Sequence, residues 1–253
     1  MPVPAPPASL RFEHRTDAGA VLGIGTPAPR LSWQVASADP GWAQEAYEVE
    51  VTRGGAAAQV VRVESPEQVL VPWPVAPLAS REGAQVRVRV HGGGQESPWS
   101  EPAEVEAGLL EPGDWSARFI SPREAGGLGD PAPVLRARLE VPGDVVRARL
   151  HATAHGLYVA TLNGQRVGDE QLAPGWTSYA HRLRYQTHDV TTLLQPGENT
   201  LEVLLGNGWY RGRLGFRGQH GLYGDRLALL AQLEVTTADG AVHDDGRAIG
   251  QLA

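Results

Sequence analysis

The sequence has 253 residues, of which 42% are hydrophobic and 20% charged, a composition that is ordinary for one or two globular domains. The formal net charge of -7 and the lack of long basic runs argue against a nucleic-acid partner, because a phosphate backbone binds a concentrated basic face. There is no cysteine, which excludes a disulfide framework, a zinc-thiolate site and a thiol nucleophile. No stretch approaches the roughly 18 apolar residues of a membrane span, and residues 1–8 lack the features of a secretory signal, so the sequence predicts a cytoplasmic protein with no membrane partner.

The aromatic residues are mostly of the kind that carries a polar group. Seven Trp and six Tyr stand against three Phe, a balance that favours rings at a wet surface or groove and suits carbohydrate binding. The 31 Gly and 20 Pro divide the chain into short segments whose hydrophobic residues alternate with period two. The pattern predicts β-strands and no long helix.

The first part of the chain contains three clearly alternating segments, at residues 30–35, 47–51 and 85–90. Each segment places its apolar side chains, such as Trp33 and Tyr47, on one face, as sandwich strands do. A β-sandwich of about 100 residues fits this spacing, with both rings in its core.

Two short motifs in this part carry a family resemblance. Pro29, Arg30, Leu31, Ser32 and Trp33 form one of them, and Trp99 with Ser100 forms the second, before the last strand. They resemble the fibronectin type III-like domain that opens many bacterial α-L-rhamnosidases. Fibronectin-like sandwiches serve many proteins as spacers, so this resemblance alone implies a fold and no activity.

A turn-rich segment at residues 108–114 leads into a second module, which opens with a predicted strand at 117–120. Asn163 and Gly164, between apolar flanks, predict a hairpin with a tight primed turn. The other predicted strands lie at residues 134–141, 145–152, 157–162, 183–189, 199–205 and 227–236. The sequence therefore predicts an all-β protein of two antiparallel β-sandwiches in tandem, fibronectin type III-like at residues 8–110 and jelly-roll-like at residues 114–240.

Four motifs of the second module carry a closer resemblance. They lie at residues 157–164, 167–169, 172–179 and 205–210, the last reading Leu-Gly-Asn-Gly-Trp-Tyr. In order and spacing they closely resemble the N-terminal β-sandwich of α-L-rhamnosidases, over residues 115–237. Some members of that family use this module to bind rhamnose, so the resemblance implies L-rhamnose or rhamnosides as ligands.

A sugar ring has an apolar face of C–H groups and a rim of hydroxyls, so its site combines an aromatic platform with hydrogen-bonding side chains. Gly206 and Gly208 bend the chain after a strand and let a ligand approach the backbone closely. The candidate platforms are Trp176, Tyr179, Trp209 and Tyr210, and the candidate partners of hydroxyls are Asn163, Asp169, Asn207 and Arg211. The alternative is that these rings close the edge of the sandwich or pack against a neighbouring domain.

Two further features have both a functional and a structural interpretation. Rhamnose-binding relatives hold calcium at the sugar site, so the resemblance implies a calcium site at Asp169 and Glu170; calcium needs about six to eight oxygen ligands, and a solvated acidic turn is the alternative. The Gly-rich loop at residues 211–225 contains three arginines and is long enough to be functional, or it rests on a catalytic domain. The histidines lack the spacing of a zinc site.

Glycoside hydrolysis needs an acid and a base or nucleophile on either side of the scissile bond. In the family these carboxylates lie in a downstream α/α-barrel, so no catalytic residue is carried over to this sequence.

After residue 240 the sequence departs from the family pattern of a closing strand. Residues 241–253 are predicted to form the irregular tail of a truncated, marginally stable module.

We therefore expect a non-catalytic N-terminal part of an α-L-rhamnosidase that supports a catalytic domain or partner chain and binds rhamnose. One alternative is a purely structural pair of modules that binds no sugar. The other is an independent hydrolase, which requires paired carboxylates in a cleft that the sequence does not reveal.

Overall fold

The computed structural model describes residues 4–15, 19–36, 41–124 and 126–244. The chain divides into two compact units, Met1–Asp114 and Trp115–Ala253. Both units consist mainly of strands and connecting turns. Within the described ranges, no helix is sufficiently long and apolar to cross a membrane.

The first unit is a sandwich of short strands. The described strands are β1 (Ala8–Phe12), β2 (Val21–Ile24), β3 (Leu31–Gln34), β4 (Ala46–Arg53), β5 (Gln59–Val63), β6 (Gly83–Gly92), β7 (Gln95–Glu96) and β8 (Ala103–Ala107), and a 3-10 turn follows at Pro112–Asp114. One sheet has the order β2-β8-β6-β4-β5 with β7 paired to β6, and β1 pairs with β3 in the other. The pairs are antiparallel except β2 with β8, which is parallel.

The predicted alternation produces the core of this unit. In β6, Val86, Val88 and Val90 are fully buried, while the residues between them lie on the opposite face. Trp33 and Tyr47 are also buried, with their rings edge to face and centroids 4.9 Å apart. Both rings therefore belong to the core, as the sequence predicts.

The second unit contains the longer strands. They are β9 (Val134–Val141), β10 (Val145–His155), β11 (Leu157–Leu162), β12 (Gln165–Arg166), β13 (Gln186–Asp189), β14 (Gly197–Gly206), β15 (Arg213–Leu214), β16 (Gln219–His220), β17 (Ala228–Thr237) and β18 (Val242–Asp244), with a 3-10 turn at Thr191–Leu193 and one helical turn, α1, at Gly208–Arg211. Two four-stranded sheets have the orders β13-β10-β17-β18 and β12-β11-β14-β9, and β15 pairs with β16 in a hairpin.

These two sheets enclose one hydrophobic core. All their strand pairs are antiparallel, and buried side chains such as Leu139, Leu150, Leu201 and Leu233 come from both sheets. The prediction of an all-β protein built from tandem sandwiches is confirmed. Asn163 and Gly164 have φ angles of 51° and 78°, the positive values that the predicted primed turn requires.

Three local predictions for this unit need correction. Residues 117–120 form no strand. Ile120 makes an isolated bridge with Leu229, and the Oε1 of Gln232 accepts hydrogen bonds from the backbone amides of Ser116 and Ala117. The strand predicted at 183–189 begins only at Gln186. The predicted irregular tail at 241–253 is wrong for Val242–Asp244, which form β18.

The strand β18 forms because the turn before it is well defined. The carboxylate of Asp239 accepts hydrogen bonds from the Thr237 hydroxyl at 2.7 Å and the Ala241 amide at 3.1 Å. This turn directs the chain back along the free edge of β17, where Val242 pairs with Thr236. Residues 245–253, the rest of the predicted tail, lie outside the described residues.

Candidate functional site

The corner after β14 positions two of the candidate rings. β14 ends at Gly206, and α1 begins two residues later. Gly208 has a φ of 50°, and a Cβ atom there would lie 2.6 Å from Cγ of Leu157, so the corner requires glycine. The tight turn places Trp209 and Tyr210 side by side on α1.

Seven rings form a continuous set of contacts, which we call the aromatic cluster. Its members are Phe119, His155, Trp176, Tyr179, Trp209, Tyr210 and Tyr223. The indoles of Trp176 and Trp209 are stacked, with centroids 5.7 Å apart and planes inclined by 9°. The Nε1 of Trp176 donates to the hydroxyl of Tyr223 at 3.2 Å, which joins the indoles to the tyrosines.

The other end of the aromatic cluster is a three-ring stack. His155, at the end of β10, lies between Phe119 and Tyr210, with centroid distances of 4.7 Å to each. Tyr179 meets Tyr210 edge-on at 5.2 Å and Tyr223 at 4.9 Å. These contacts hold the loops around Trp176 and after α1 against the end of the sandwich.

The aromatic cluster is partly open to solvent, and burial favours the neutral form of three of its titratable groups. Trp176 is 53% exposed, and Phe119 and Tyr223 are also exposed. Burial raises the pKa of Tyr179 and of Tyr210, and it lowers the pKa of His155. His155, Tyr179 and Tyr210 therefore offer uncharged rings at neutral pH.

Models of two domain families match the chain. The α-L-rhamnosidase N-terminal domain matches residues 143–244, and the Rha78A-like N-terminal immunoglobulin domain matches residues 7–111. An α-L-rhamnosidase of Streptomyces avermitilis is 49% identical over 150 residues, which are 56% of this chain and 14% of that protein. The chain belongs to the α-L-rhamnosidase family and corresponds to its N-terminal region. A Formosa agariphila α-L-rhamnosidase is 31% identical over 87% of the chain and 26% of its own length.

Solved α-L-rhamnosidase structures match this chain over most of its length. The native α-L-rhamnosidase from Aspergillus terreus matches with a TM-score of 0.87 and 46% identity, over 94% of this chain and 28% of that one. The Streptomyces avermitilis enzyme complexed with L-rhamnose matches with a TM-score of 0.83 and 26% identity, over 94% of this chain and 40% of that one. The chain spans 14–26% of the length of its curated relatives. The first module, predicted as fibronectin type III-like, matches an immunoglobulin model; both classes share the sandwich architecture.

In this rhamnosidase region, Asn163 lies away from the aromatic cluster. It follows β11, whose first residue Leu157 pairs with Gly206 beside α1, so the length of β11 separates Asn163 from the corner by about 20 Å. The Asn163 amide group donates to the carbonyl of Leu193 at 2.9 Å and accepts from the amide of Thr200 at 2.8 Å. Its side chain therefore fastens a hairpin.

Asn207 and Arg211 line a different surface of the corner from the aromatic rings. Arg211 is buried, and its guanidinium donates to the carbonyls of Gly126 and Gly127 at 2.9 and 3.1 Å. The Oδ1 of Asn207 is buried and has no hydrogen-bond partner among the described residues. Both side chains line a cavity of about 70 Å³, which has room for ordered water that would supply the missing donor.

Asp169 and Glu170 lie beside a buried histidine. The Oε2 of Glu170 is 3.7 Å from Nδ1 of His188. The negative charge of the Asp169 carboxylate also favours the protonated form of this imidazole. In the ranges that the structure describes, no three His, Cys, Asp or Glu side chains converge as metal ligands. Calcium needs about six to eight oxygen ligands, and these two carboxylates supply only part of that number, so the calcium site at Asp169 and Glu170 stays a prediction.

The structure thus brings together the four predicted aromatic residues and adds three that the sequence motifs do not indicate. Phe119 precedes the sandwich proper, His155 ends β10, and Tyr223 belongs to the loop after α1. The position of His155 could have been predicted from the sequence, because the alternation of β10 places it on the same face as His151. No local pattern indicates that Phe119 stacks on it.

Proposed function

We propose that these two modules are a non-catalytic accessory region of an α-L-rhamnosidase, and that the aromatic cluster of the second module binds L-rhamnose or rhamnosides. The observation that carries the proposal is the exposed indole of Trp176, stacked on Trp209. Because Trp209 covers one face of this ring, the opposite face is available to an apolar sugar face.

The orientation of Trp176 supports a prebuilt platform. Its Nε1 hydrogen bond to the Tyr223 hydroxyl and its stack on Trp209 hold the indole before any ligand arrives. A preformed ring loses little conformational freedom when a sugar binds, which favours binding. The hydroxyl of Tyr223 lies at the edge of the platform, where it can accept or donate to a sugar hydroxyl.

A related protein adds weight to rhamnose as the ligand class. The Streptomyces avermitilis enzyme, whose structure was solved in complex with L-rhamnose, shares 26% identity over 94% of this chain. An accessory rhamnose-binding site near the catalytic domain would suit a family whose substrates are rhamnosides. We expect weak binding of a single sugar residue, because one aromatic contact contributes only about 0.5–1.5 kcal/mol beyond the area that it buries.

Isothermal titration calorimetry of the whole chain with L-rhamnose tests this proposal. We expect saturable heat with a Kd of about 1 mM, or about 4 kcal/mol. Trp176→Ala should weaken binding by up to about tenfold while the module stays folded, and Trp99→Ala, in the first module, is the matched control. Added calcium should leave the heat unchanged. The absence of heat from the wild-type chain at millimolar sugar, or unchanged binding by Trp176→Ala, would refute the sugar-binding function.

A second candidate function is a purely structural pair of modules that orients a catalytic domain. It is favoured by the use of predicted sugar ligands within the fold, since Asn163 and Arg211 both donate to backbone carbonyls. The same titration separates the two functions, because only the first yields heat with wild-type protein. Deleting both modules from a complete rhamnosidase would then lower the stability of the enzyme without changing its affinity for sugar.

A further inference from the structure

Arginines are concentrated in the two segments that carry most of the aromatic cluster. Residues 171–184 and 206–226 contain six arginines, Arg182, Arg184, Arg211, Arg213, Arg217 and Arg226, and one carboxylate, Asp225. The whole chain has a formal charge of -7, so this local excess of positive charge opposes the overall balance. The segments are distant in sequence, which is why no basic run reveals the excess.

Five of these arginines are exposed and make no ion pair within 4 Å in the described part of the chain: Arg182, Arg184, Arg213, Arg217 and Arg226. Other arginines of the same module do pair. Arg136 binds Glu202, and Arg149 lies 3.0 Å from Asp189. Arg118, Arg123 and Arg166 of this module are also exposed without a described ion pair, so what distinguishes this surface is that five such arginines lie in its two segments.

Arg182 and Arg184 lie beside the loop of Trp176, and Arg213 and Arg217 belong to the hairpin that follows α1. Nη1 of Arg184 would lie 3.9 Å from a Cβ atom at Gly175, the residue before Trp176. The carbonyl of Arg182 accepts from the hydroxyl of Thr177 at 2.9 Å, the residue after Trp176. On the second segment, α1 leads into the hairpin of β15 and β16, where Arg213 pairs with His220.

Contacts between the rings hold the two segments together. Trp176 stacks on Trp209, and Tyr179 contacts both Tyr210 and Tyr223. Phe216, at the tip of the hairpin, is fully exposed. We call the exposed surface of residues 171–184 and 206–226 the arginine-aromatic face.

We propose that the arginine-aromatic face binds an acidic oligosaccharide, whose uronate carboxylates pair with the arginines while its sugar rings lie on the indoles. This inference rests on the proposed sugar-binding function and specifies its ligand. A planar guanidinium matches a carboxylate with two parallel hydrogen bonds, and guanidinium groups are weakly hydrated, so such pairs form readily at a surface. A neutral monosaccharide would cover one ring and leave these cations unused.

The probe for this inference is trigalacturonic acid, with maltotriose as the neutral trisaccharide of equal length. By calorimetry on the whole chain, we expect trigalacturonate to bind about tenfold more tightly than maltotriose, a difference of about 1.4 kcal/mol. The preference should shrink when sodium chloride rises from about 0.05 to 0.3 M, because salt screens exposed charges. The double variant Arg213→Gln/Arg217→Gln should lose about tenfold in trigalacturonate affinity and keep its binding of L-rhamnose.

The matched control is Arg136→Gln/Arg138→Gln, which removes the same charge from β9. We expect it to bind trigalacturonate as the wild type does. Equal loss in the control, equal binding of both trisaccharides, or equally tight binding of a single-stranded oligothymidylate of the same charge would overturn the inference. Heat with L-rhamnose but none with trigalacturonate would refute the acidic ligand alone, whereas trigalacturonate binding without rhamnose binding would refute only the rhamnose proposal.

Discussion

The side-chain amide of Asn163 donates a hydrogen bond to Oδ1 of Asn199 at 2.7 Å, within the second module. Asn199 is almost fully buried, and its own amide donates to the carbonyls of Gln195 and Gly197 at 2.7 and 2.9 Å. The two asparagines therefore tie the turn between β11 and β12 to the start of β14. Asn163 is required by this clamp and by its positive φ.

Replacing Asn163 should destabilise the module without touching the aromatic cluster. Asn163→Ala removes three hydrogen bonds, each contributing about 0.5–1.5 kcal/mol, and it places alanine in the left-handed region, so we expect the free energy of unfolding to fall by about 2–4 kcal/mol. Asn163→Gly loses the same bonds without the backbone strain and should be less destabilised by about 1 kcal/mol. Urea denaturation measures both values. Wild-type stability of Asn163→Ala would contradict the clamp.

Burial of His188 makes the stability of the second module depend on pH. Burial lowers the pKa of this imidazole, and although the carboxylates of Glu170 and Asp169 oppose that effect, His151 adds to it. Below a pH of about 6.5, His188 binds a proton in the unfolded chain but stays neutral in the folded protein. The free energy of unfolding therefore falls as the pH falls below that value, and it does not depend on this group at higher pH. The half-buried His155, whose pKa burial also lowers, acts in the same direction.

Urea denaturation at several pH values between about 7.5 and 5.5 tests this effect. We expect His188→Gln to reduce the loss of stability on acidification, by at most about 1.4 kcal/mol per pH unit. His155→Gln should reduce it as well. A rise in stability as the pH falls through this range would show that the carboxylates, and not burial, dominate.

Local sequence signals predicted the features that depend on local geometry. Asn163 and Gly164 adopt the expected turn because positive φ is a property of those residue types, and alternating valines place β6 correctly. The four aromatic candidates came from motifs around tight turns, which the structure does bring into contact.

Features that depend on distant partners were not predictable in this way. Arg211 resembles a ligand for sugar hydroxyls in sequence, but the chain brings the carbonyls of Gly126 and Gly127 to it from far upstream. Val242–Asp244 form a strand because the Asp239 turn returns the chain to the free edge of β17, a partner that the local sequence does not reveal. The arginine-aromatic face is likewise assembled from two segments, so its charge is visible only after folding.

Trp99 should stabilise the first module through two arginines. Its ring lies under the guanidinium carbons of Arg87 and Arg89, at 5.5 and 4.9 Å from the centroid. Glu50 and Glu48 each contact one of these arginines at 2.6 Å and fix its orientation. Cation–π contacts at partly exposed sites contribute about 0.5–1 kcal/mol each, so Trp99→Ala should lower the free energy of unfolding by about 1–2 kcal/mol.

Two further variants serve as comparisons. Trp99→Phe keeps a ring of weaker quadrupole and should recover part of that loss. Glu64→Gln, which removes an exposed ion pair with Arg62, should change the free energy of unfolding by less than about 0.5 kcal/mol. Thermal unfolding followed by circular dichroism provides the comparison, and equal stability of the alanine variant and the wild type would mean that the ring merely covers the strand.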